Sequence, residues 1–209
     1  GNEYTPVGEM IDEKSVVNGI IGLHVTGGST NLAIHLLAMA AAAGIKVTWR
    51  DLSDLSDAVP LLARVYPNGL ADVNHFNAAG GIGFVIRELL DAGLLHEDVR
   101  TVFGEGLRPY AVEAKLDAKG GVTRVSSPAQ SGDEKVLAPV TKAFQPTGGV
   151  RVLTGNLGTA IIKTSAIKPD RHVIEAPAVV FHSQEALHAA FKAGELDKDF
   201  VAVVTYQGP

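Results

Sequence analysis

The chain has no cysteine among its 209 residues. Within these residues, that absence excludes disulfide bonds, thiolate zinc sites, a cysteine nucleophile and a cysteine-held iron–sulfur cluster. A net positive charge is also missing, because 18 Lys and Arg residues stand against 23 Asp and Glu residues, for a net charge of −5. No overall positive field attracts the chain to nucleic acid or to an anionic membrane, and we expect neither as a partner.

Long apolar runs are missing as well. The longest, residues 36–43, has 8 residues, whereas a membrane-spanning helix needs about 18. The start, Gly1-Asn2-Glu3-Tyr4, is polar, has no basic region typical of a signal peptide and has no initiator Met. We therefore expect an internal piece of a longer protein, and the absence of disulfides suits the reducing cytoplasm.

Short helices and strands alternate in the first half of the chain. The loop Thr26-Gly27-Gly28-Ser29-Thr30-Asn31 precedes an apolar run that ends before Gly44. This pattern predicts a helix with Ser29, Thr30 or Asn31 as N-cap and Gly44 as the left-handed residue after its end. The alternation in residues 45–49 predicts a strand. A helix and a strand at such short spacing indicate an α/β fold.

The remaining elements are predicted from periodicity and from turn residues. Residues 15–23 are apolar enough for either a helix or a strand. We predict helices over 51–59, between Pro60 and Tyr66, over 74–79, over 84–92, and after Ser183. We predict strands over 99–103, 150–153, 160–163, 178–181 and 200–206. By composition, residues 1–111 are α/β, residues 112–148 form a linker or a long surface excursion, and residues 149–209 are rich in strands.

The loop Gly27-Gly28-Ser29-Thr30-Asn31 is the strongest candidate site. Glycines allow backbone amides to approach a ligand, and a helix N-terminus carries partial positive charge, so a carboxylate or phosphate is the expected ligand. It is not a Walker A loop, because the lysine that should precede Ser29 is absent. The alternative is a capped helix after a tight turn that touches no ligand.

Other polar or glycine-rich motifs are weaker candidates. Gly148-Gly149 and Gly155-Asn156-Leu157-Gly158 are typical of hairpin turns, although Asn156 has the alternative of donating to a ligand. The seven histidines form no metal-binding pair on one helix face. The acidic residues Glu9, Asp12 and Glu13 indicate a solvated cluster rather than a metal site. No G-x-S-x-G nucleophile motif is present.

Longer motifs resemble the dehydratase family that joins dihydroxy-acid dehydratase and 6-phosphogluconate dehydratase. The resemblance covers nearly the whole chain, and the Trp49–Ser56 and Tyr66–Gly69 segments are closer to the 6-phosphogluconate branch. The resemblance rests on the following motifs: Pro6-Val7-Gly8-Glu9-Met10-Ile11-Asp12-Glu13-Lys14-Ser15, Thr26-Gly27-Gly28-Ser29-Thr30-Asn31, Tyr66-Pro67-Asn68-Gly69, Asn74-His75-Phe76, Ala78-Ala79-Gly80-Gly81, Glu88-Leu89-Leu90-Asp91-Ala92-Gly93-Leu94-Leu95-His96-Glu97-Asp98, Leu153-Thr154-Gly155-Asn156-Leu157-Gly158, Lys163-Thr164-Ser165-Ala166, Ile174-Glu175-Ala176-Pro177-Ala178 and Tyr206-Gln207-Gly208-Pro209.

The resemblance implies a hydro-lyase that converts a 2,3-dihydroxy acid to a 2-keto acid by way of an enol. In the 6-phosphogluconate branch the product is 2-keto-3-deoxy-6-phosphogluconate, in the Entner–Doudoroff pathway. It also implies an iron–sulfur cluster, expected to be 4Fe–4S, that acts as Lewis acid, a divalent cation such as Mg²⁺, a serine base and a cytoplasmic homodimer. The implied fold is an α/β domain, with a parallel sheet and flanking helices, followed by a β-barrel domain.

Residue by residue, the resemblance transfers only in part. The resemblance implies cluster cysteines at positions before Gly1, cation ligands partly before Gly1 and partly after Pro209, and a serine base after Pro209. We therefore expect residues 1–111 to end the α/β domain and residues 149–209 to begin the barrel. The chain alone is expected to be inactive, with no catalytic residue and no metal ligand of its own. Gly27, Gly28, Ser29, Thr30 and Asn31 are the candidate substrate-binding residues, for a sugar-acid phosphate.

Two alternatives remain open. One is a segment of a dihydroxy-acid dehydratase or of another sugar-acid dehydratase. The other is a free-standing module that binds a sugar acid or phosphate without a cluster.

Overall fold

A computed structural model describes residues 4–207, so Gly208 and Pro209 of the last motif lie outside the described residues. The described residues form two compact units, residues 4–167 and residues 168–207. The helices are α1 Glu13–Thr26, α2 Thr30–Ala42, α3 Trp49–Ala58, α4 Val73–Ala78, α5 Gly81–Asp91 and α6 Gln184–Lys192. The strands are β1 Arg100–Thr101, β2 Gly104–Glu105, β3 Val112–Leu116, β4 Val122–Ser126, β5 Arg151–Gly155, β6 Gly158–Ile162, β7 Ala178–Phe181 and β8 Val201–Val204.

Helix α1 is the centre of the first unit. Ile21 and Val25 face one buried cluster, which includes Phe84, and Ile20 and Leu23 face a second one. A helix that is covered on several sides is apolar around most of its circumference. This explains why the apolar pattern of residues 15–23 did not distinguish a helix from a strand.

Helix α2 begins and ends where the sequence predicts. Ser29 is its N-cap, and the Ser29 hydroxyl oxygen accepts from the Asn31 amide at 3.1 Å. Gly44 follows the helix with a φ of +77°. These features are local, and the cap and the left-handed residue are therefore confirmed.

The predicted strand over residues 45–49 is wrong. Trp49 is the first residue of α3, and Thr48 caps that helix by accepting from the Asp51 amide, while Asp51 accepts from the Thr48 amide. Ile45 and Val47 instead pack against the second buried cluster. Alternating burial arises here without a neighbouring strand, because an extended segment crosses the core surface.

The predicted helix between Pro60 and Tyr66 is also wrong. Leu61, Leu62 and Ala63 are fully buried in an extended segment. The Leu61 amide donates to the Gln145 carbonyl at 3.0 Å, and Ala63 forms an antiparallel bridge with Leu137. The short apolar run is thus a buried extended segment whose backbone pairs with residues that are distant in the sequence.

Residues 112–148 combine an exposed hairpin with part of the core. Strands β3 and β4 pair antiparallel, and β4 is exposed along its length. Val136, Leu137 and Ala138, however, are buried. The β3–β4 hairpin therefore resembles the expected surface excursion, whereas residues 136–138 belong to the core. The domain boundaries expected from the sequence remain a prediction.

The second unit contains a βαβ arrangement. Strands β7 and β8 pair in parallel, and α6 lies between them in sequence. Ser183 caps α6 by accepting from the Ala186 amide, as predicted. The α/β class is confirmed, with its parallel strand pair in this unit rather than in residues 4–111. Assignment of residues 149–209 to a barrel remains a prediction.

Candidate functional site

The loop between α1 and α2 makes two turns in quick succession. Gly27 ends α1 in the left-handed region, with a φ of +59°. Its amide donates to the His24 carbonyl and the Gly28 amide donates to the Leu23 carbonyl at 2.8 Å, which completes the C-cap. Ser29 then caps α2. The chain therefore ends one helix and starts the next within three residues.

A cavity of about 550 Å³ opens beside this loop. Residues 26–30 form one wall, and Val65, Phe76 and Ile82 are among the apolar residues that line the rest. This volume suits a small metabolite, since ligand pockets span roughly 300–1,000 Å³. The structure thus places Gly27, Gly28, Ser29 and Thr30 on one cavity. Asn31 is exposed and is not among the described lining residues.

Lys163 brings a charge to the cavity. Of the described residues that line it, Lys163 alone carries a formal charge. It is half-buried directly after β6, and burial lowers the pKa of its ammonium group below the ordinary value. In the sequence, Lys163 stands at the end of a predicted strand and at the start of a family-like motif, and it was not predicted as a site residue. An isolated lysine has no local signal that would reveal it.

Behind the loop, an amide and a hydroxyl connect distant parts of the chain. The Asn68 side-chain amide donates to the Gly27 carbonyl at 2.9 Å, and the Ser165 hydroxyl donates to the Asn68 side-chain oxygen at 2.9 Å. The Ser165 amide donates to the Gly149 carbonyl, and the Gly149 amide donates to the His24 carbonyl, each at 3.3 Å. Asn68, Ser165 and Gly149 therefore support the loop through a chain of hydrogen bonds.

The two weaker glycine motifs differ from each other. Gly155 and Gly158 face one another at the turn of the β5–β6 hairpin, as hairpin punctuation predicts. Gly148 and Gly149 are packed instead. A Cβ on Gly148 would lie 2.7 Å from the His24 Cβ, and a Cβ on Gly149 would lie 3.0 Å from the Gly27 Cα.

The histidines and acidic residues that the sequence singles out occupy structural or exposed positions. His24 is fully buried with its Nε2 at 2.8 Å from the Leu52 carbonyl oxygen, and burial lowers the pKa of its imidazole. His35 is exposed on α2, and His75 contacts Asp72 within the cap of α4. Within the acidic cluster, Glu9 pairs with Arg100, and the Asp12 side chain caps α1.

Family comparison places the whole chain in one enzyme family. Residues 2–110 match the model for the N-terminal part of the dihydroxy-acid/6-phosphogluconate dehydratases, and residues 135–209 match the model for their C-terminal part. The chain belongs to this dehydratase family. Both walls of the cavity are therefore family sequence, since the loop lies in the first match and Lys163 in the second.

Curated relatives support the same assignment. The chain is 65% identical over its full length to the phosphogluconate dehydratase of Rhizobium meliloti (strain 1021), and 57% identical to that of Escherichia coli (strain K12). It is 34% identical, over 96% of its length, to the dihydroxy-acid dehydratase of Roseiflexus castenholzii. The chain spans about a third (34%) of the length of each of these relatives.

The cofactors that the dehydratase family implies do not fit the residues of this chain. It has no cysteine to hold an iron–sulfur cluster. Across residues 4–207, no group of three or more His, Asp and Glu side chains is arranged to hold a metal ion. In the same range, no helix is both long and apolar enough to span a membrane. The chemistry to which this chain contributes must therefore be argued from its cavity.

Proposed function

We propose that the chain is a segment of a phosphogluconate dehydratase. The observation that carries the proposal is its identity of 65% and 57% to proteins of that name over its full length, against 34% to a dihydroxy-acid dehydratase. The reaction would remove the C2 proton and the C3 hydroxyl of 6-phosphogluconate as water. The resulting enol would tautomerise to 2-keto-3-deoxy-6-phosphogluconate, the Entner–Doudoroff step.

Within that protein, the chain would contribute a substrate-binding wall. Gly27, Gly28, Ser29 and Thr30 line the cavity, and Asn31 follows them at the start of α2. We assign these five residues to substrate binding. The support is a cavity of metabolite size with a largely apolar lining, to which Ser29 and Thr30 bring hydroxyl groups.

The iron–sulfur cluster and the divalent cation would be held elsewhere in the full-length protein. A 4Fe–4S cluster and Mg²⁺ are our proposal for the cofactors, and Lewis-acid activation of the leaving hydroxyl is the chemistry they would supply. No catalytic residue is assigned to the 209 residues. We further propose that the full-length protein is a cytoplasmic homodimer that binds neither nucleic acid nor membrane.

Product analysis of the full-length protein tests this proposal. The protein is prepared anaerobically and incubated separately with 6-phosphogluconate and with 2,3-dihydroxy-3-methylbutanoate, and 2-keto acid formation is followed in each. We expect a keto acid from 6-phosphogluconate at the higher kcat/KM. A preference for the branched dihydroxy acid would replace the proposed substrate. Tight binding of 6-phosphogluconate with no product from either compound would favour the cluster-free binding module.

A further inference from the structure

Lys163 is a cation without an acidic partner in an apolar cavity. No carboxylate among the described residues lies within ion-pair distance of its ammonium group, although ten such pairs occur elsewhere in that part of the chain. A partly buried charge is costly unless it is paired. The missing counter-charge is therefore expected to come from a ligand.

Other residues that line the cavity also suit an anionic ligand. Ser29 uses its hydroxyl oxygen to accept from the Asn31 amide, which leaves the hydroxyl hydrogen free for donation. Tyr66 is also among the lining residues, and its side chain carries a second hydroxyl. A cation and hydroxyl donors that line one cavity suit phosphate or carboxylate oxygens.

Asn68 fixes the position of the backbone that carries Lys163. Lys163 immediately precedes the 3₁₀ helix Thr164–Ala166, and the hydroxyl of Ser165 in that helix is bound to the Asn68 side-chain oxygen. The other end of the Asn68 amide is bound to the Gly27 carbonyl. One side chain thus joins both walls of the cavity, and it reduces the freedom that substrate binding would otherwise have to remove.

We propose that Lys163 binds an anionic oxygen group of the substrate, and that Asn68 is the positioning residue that holds Lys163 in the same cavity as the Gly27–Thr30 wall. This inference rests on the proposed function, because it takes the ligand to be a phosphorylated sugar acid. It adds to that function the ammonium group of Lys163 as the group that binds the anion, and Asn68 as a residue that acts by positioning Lys163.

Steady-state kinetics of the full-length protein test the role of Lys163. The KM for 6-phosphogluconate and the competitive inhibition constant of gluconate are measured for wild type, Lys163→Gln, Lys163→Arg and Lys119→Gln. Lys119 is exposed in the turn after β3 and is the matched control. We expect Lys163→Gln to weaken 6-phosphogluconate binding by about tenfold or more, the effect of one charge-assisted hydrogen bond, with Lys163→Arg retaining most of the affinity.

The two ligands distinguish which anionic group Lys163 contacts. Weakening of 6-phosphogluconate alone assigns Lys163 to the phosphate, whereas equal weakening of both ligands assigns it to the carboxylate. Unchanged binding in Lys163→Gln, with normal binding and turnover in wild type, would overturn this inference and leave the proposed function intact. Failure of wild type to bind or convert 6-phosphogluconate would instead refute the proposed function.

A double-mutant cycle tests Asn68 separately from a general structural role. Asn68→Ala and Asn156→Ala are each combined with Lys163→Gln, with Asn156 in the exposed hairpin turn as control. If Asn68 acts through Lys163, the Asn68→Ala/Lys163→Gln double variant should bind 6-phosphogluconate within about twofold of Lys163→Gln alone. If the losses of affinity in Asn68→Ala and Lys163→Gln multiply in the double variant, the positioning role is contradicted. A lower kcat at unchanged KM in Asn68→Ala would contradict it as well.

Discussion

Two glycine-rich segments of the first unit differ in how much space surrounds them. The segment Gly27–Gly28 and its neighbour Gly149 are in close contact with the rest of the protein, and a Cβ on Gly27 would lie 2.0 Å from the Asn68 side-chain nitrogen. At the β5–β6 hairpin, a Cβ on Gly155 or Gly158 would meet nothing within 4 Å. The same residue type therefore serves close packing in one place and a turn in the other.

The difference shows where glycine is required by tertiary structure. Gly148–Gly149 and the hairpin motif have the same appearance in sequence, yet only the former is enclosed by α1, α3 and the segment after β6. Substitutions that add a Cβ are the direct way to test this comparison, because their cost depends on the atoms that the new side chain would meet.

The largest effect is expected from Gly149→Val. Its Cβ would lie 2.6 Å from the Ser165 hydroxyl oxygen and 3.0 Å from the Gly27 Cα, so the loop or the 3₁₀ helix must shift. We expect the free energy of unfolding to fall by about 3 kcal/mol. The matched variant Gly155→Val should change it by less than about 0.5 kcal/mol. Urea denaturation of the full-length protein measures both, and equal losses would contradict the comparison.

A smaller effect is expected from Gly27→Ala. Both Gly27 and Gly44 have left-handed backbones, with φ of +59° and +77°, but a Cβ on Gly44 would meet nothing within 4 Å. Gly44→Ala should cost about 1 kcal/mol of backbone strain, and Gly27→Ala about 2 kcal/mol because Asn68 must also move. Thermal unfolding of the two variants isolates the contact, and an equal cost would show that Asn68 moves aside freely.

Local features of the fold were predictable from the sequence, and long-range ones were not. The caps at Ser29 and Ser183 and the left-handed Gly44 depend on residues within a few positions of each other, and all were predicted. The strand expected over residues 45–49 was wrong because the same alternation arises when an extended segment packs on a core. Residues 61–63 were misassigned for a related reason, since their backbone partners are distant in sequence, at Val25 and in residues 137–145.

The candidate site divides in the same way. The Gly27–Asn31 loop was found because it combines glycines with a cap in one short window. Asn68 and Ser165 are 97 positions apart, and Asn68 and Gly27 are 41 apart. No periodicity or motif spacing connects such residues. Only the folded chain shows that they support one loop, and that Lys163 shares its cavity.

The packed region should also give the protein a pH dependence that the exposed hairpin cannot. Burial lowers the pKa of His24, so the unfolded chain binds a proton there that the folded protein excludes. The resulting contribution of His24 to the free energy of unfolding is fully present above about pH 6.5, the pKa of histidine in the unfolded chain. It is lost as the pH falls below that value, by at most roughly 1.4 kcal/mol per pH unit. His24→Gln should remove this slope between pH 7 and pH 5.5, whereas His35→Gln, at an exposed position of α2, should retain it. Unfolding curves across that range that are identical in all three proteins would exclude His24 as the cause.

The smallest effect expected at the loop is that of Ser29→Ala. The change removes the acceptor for the Asn31 amide at the start of α2 and should cost about 1 kcal/mol of stability, as for other N-caps. Ser183→Ala removes the equivalent cap of α6 and is the matched control for stability. The two variants should differ in their enzyme kinetics, because Ser29 lines the cavity and its hydroxyl hydrogen is free to donate to a ligand. We expect Ser29→Ala to raise the KM for 6-phosphogluconate in the full-length protein and Ser183→Ala to leave it unchanged. If both variants lose stability and neither changes KM or kcat, the glycine-rich loop is a structural junction between two helices and its wall of the cavity is not a binding surface.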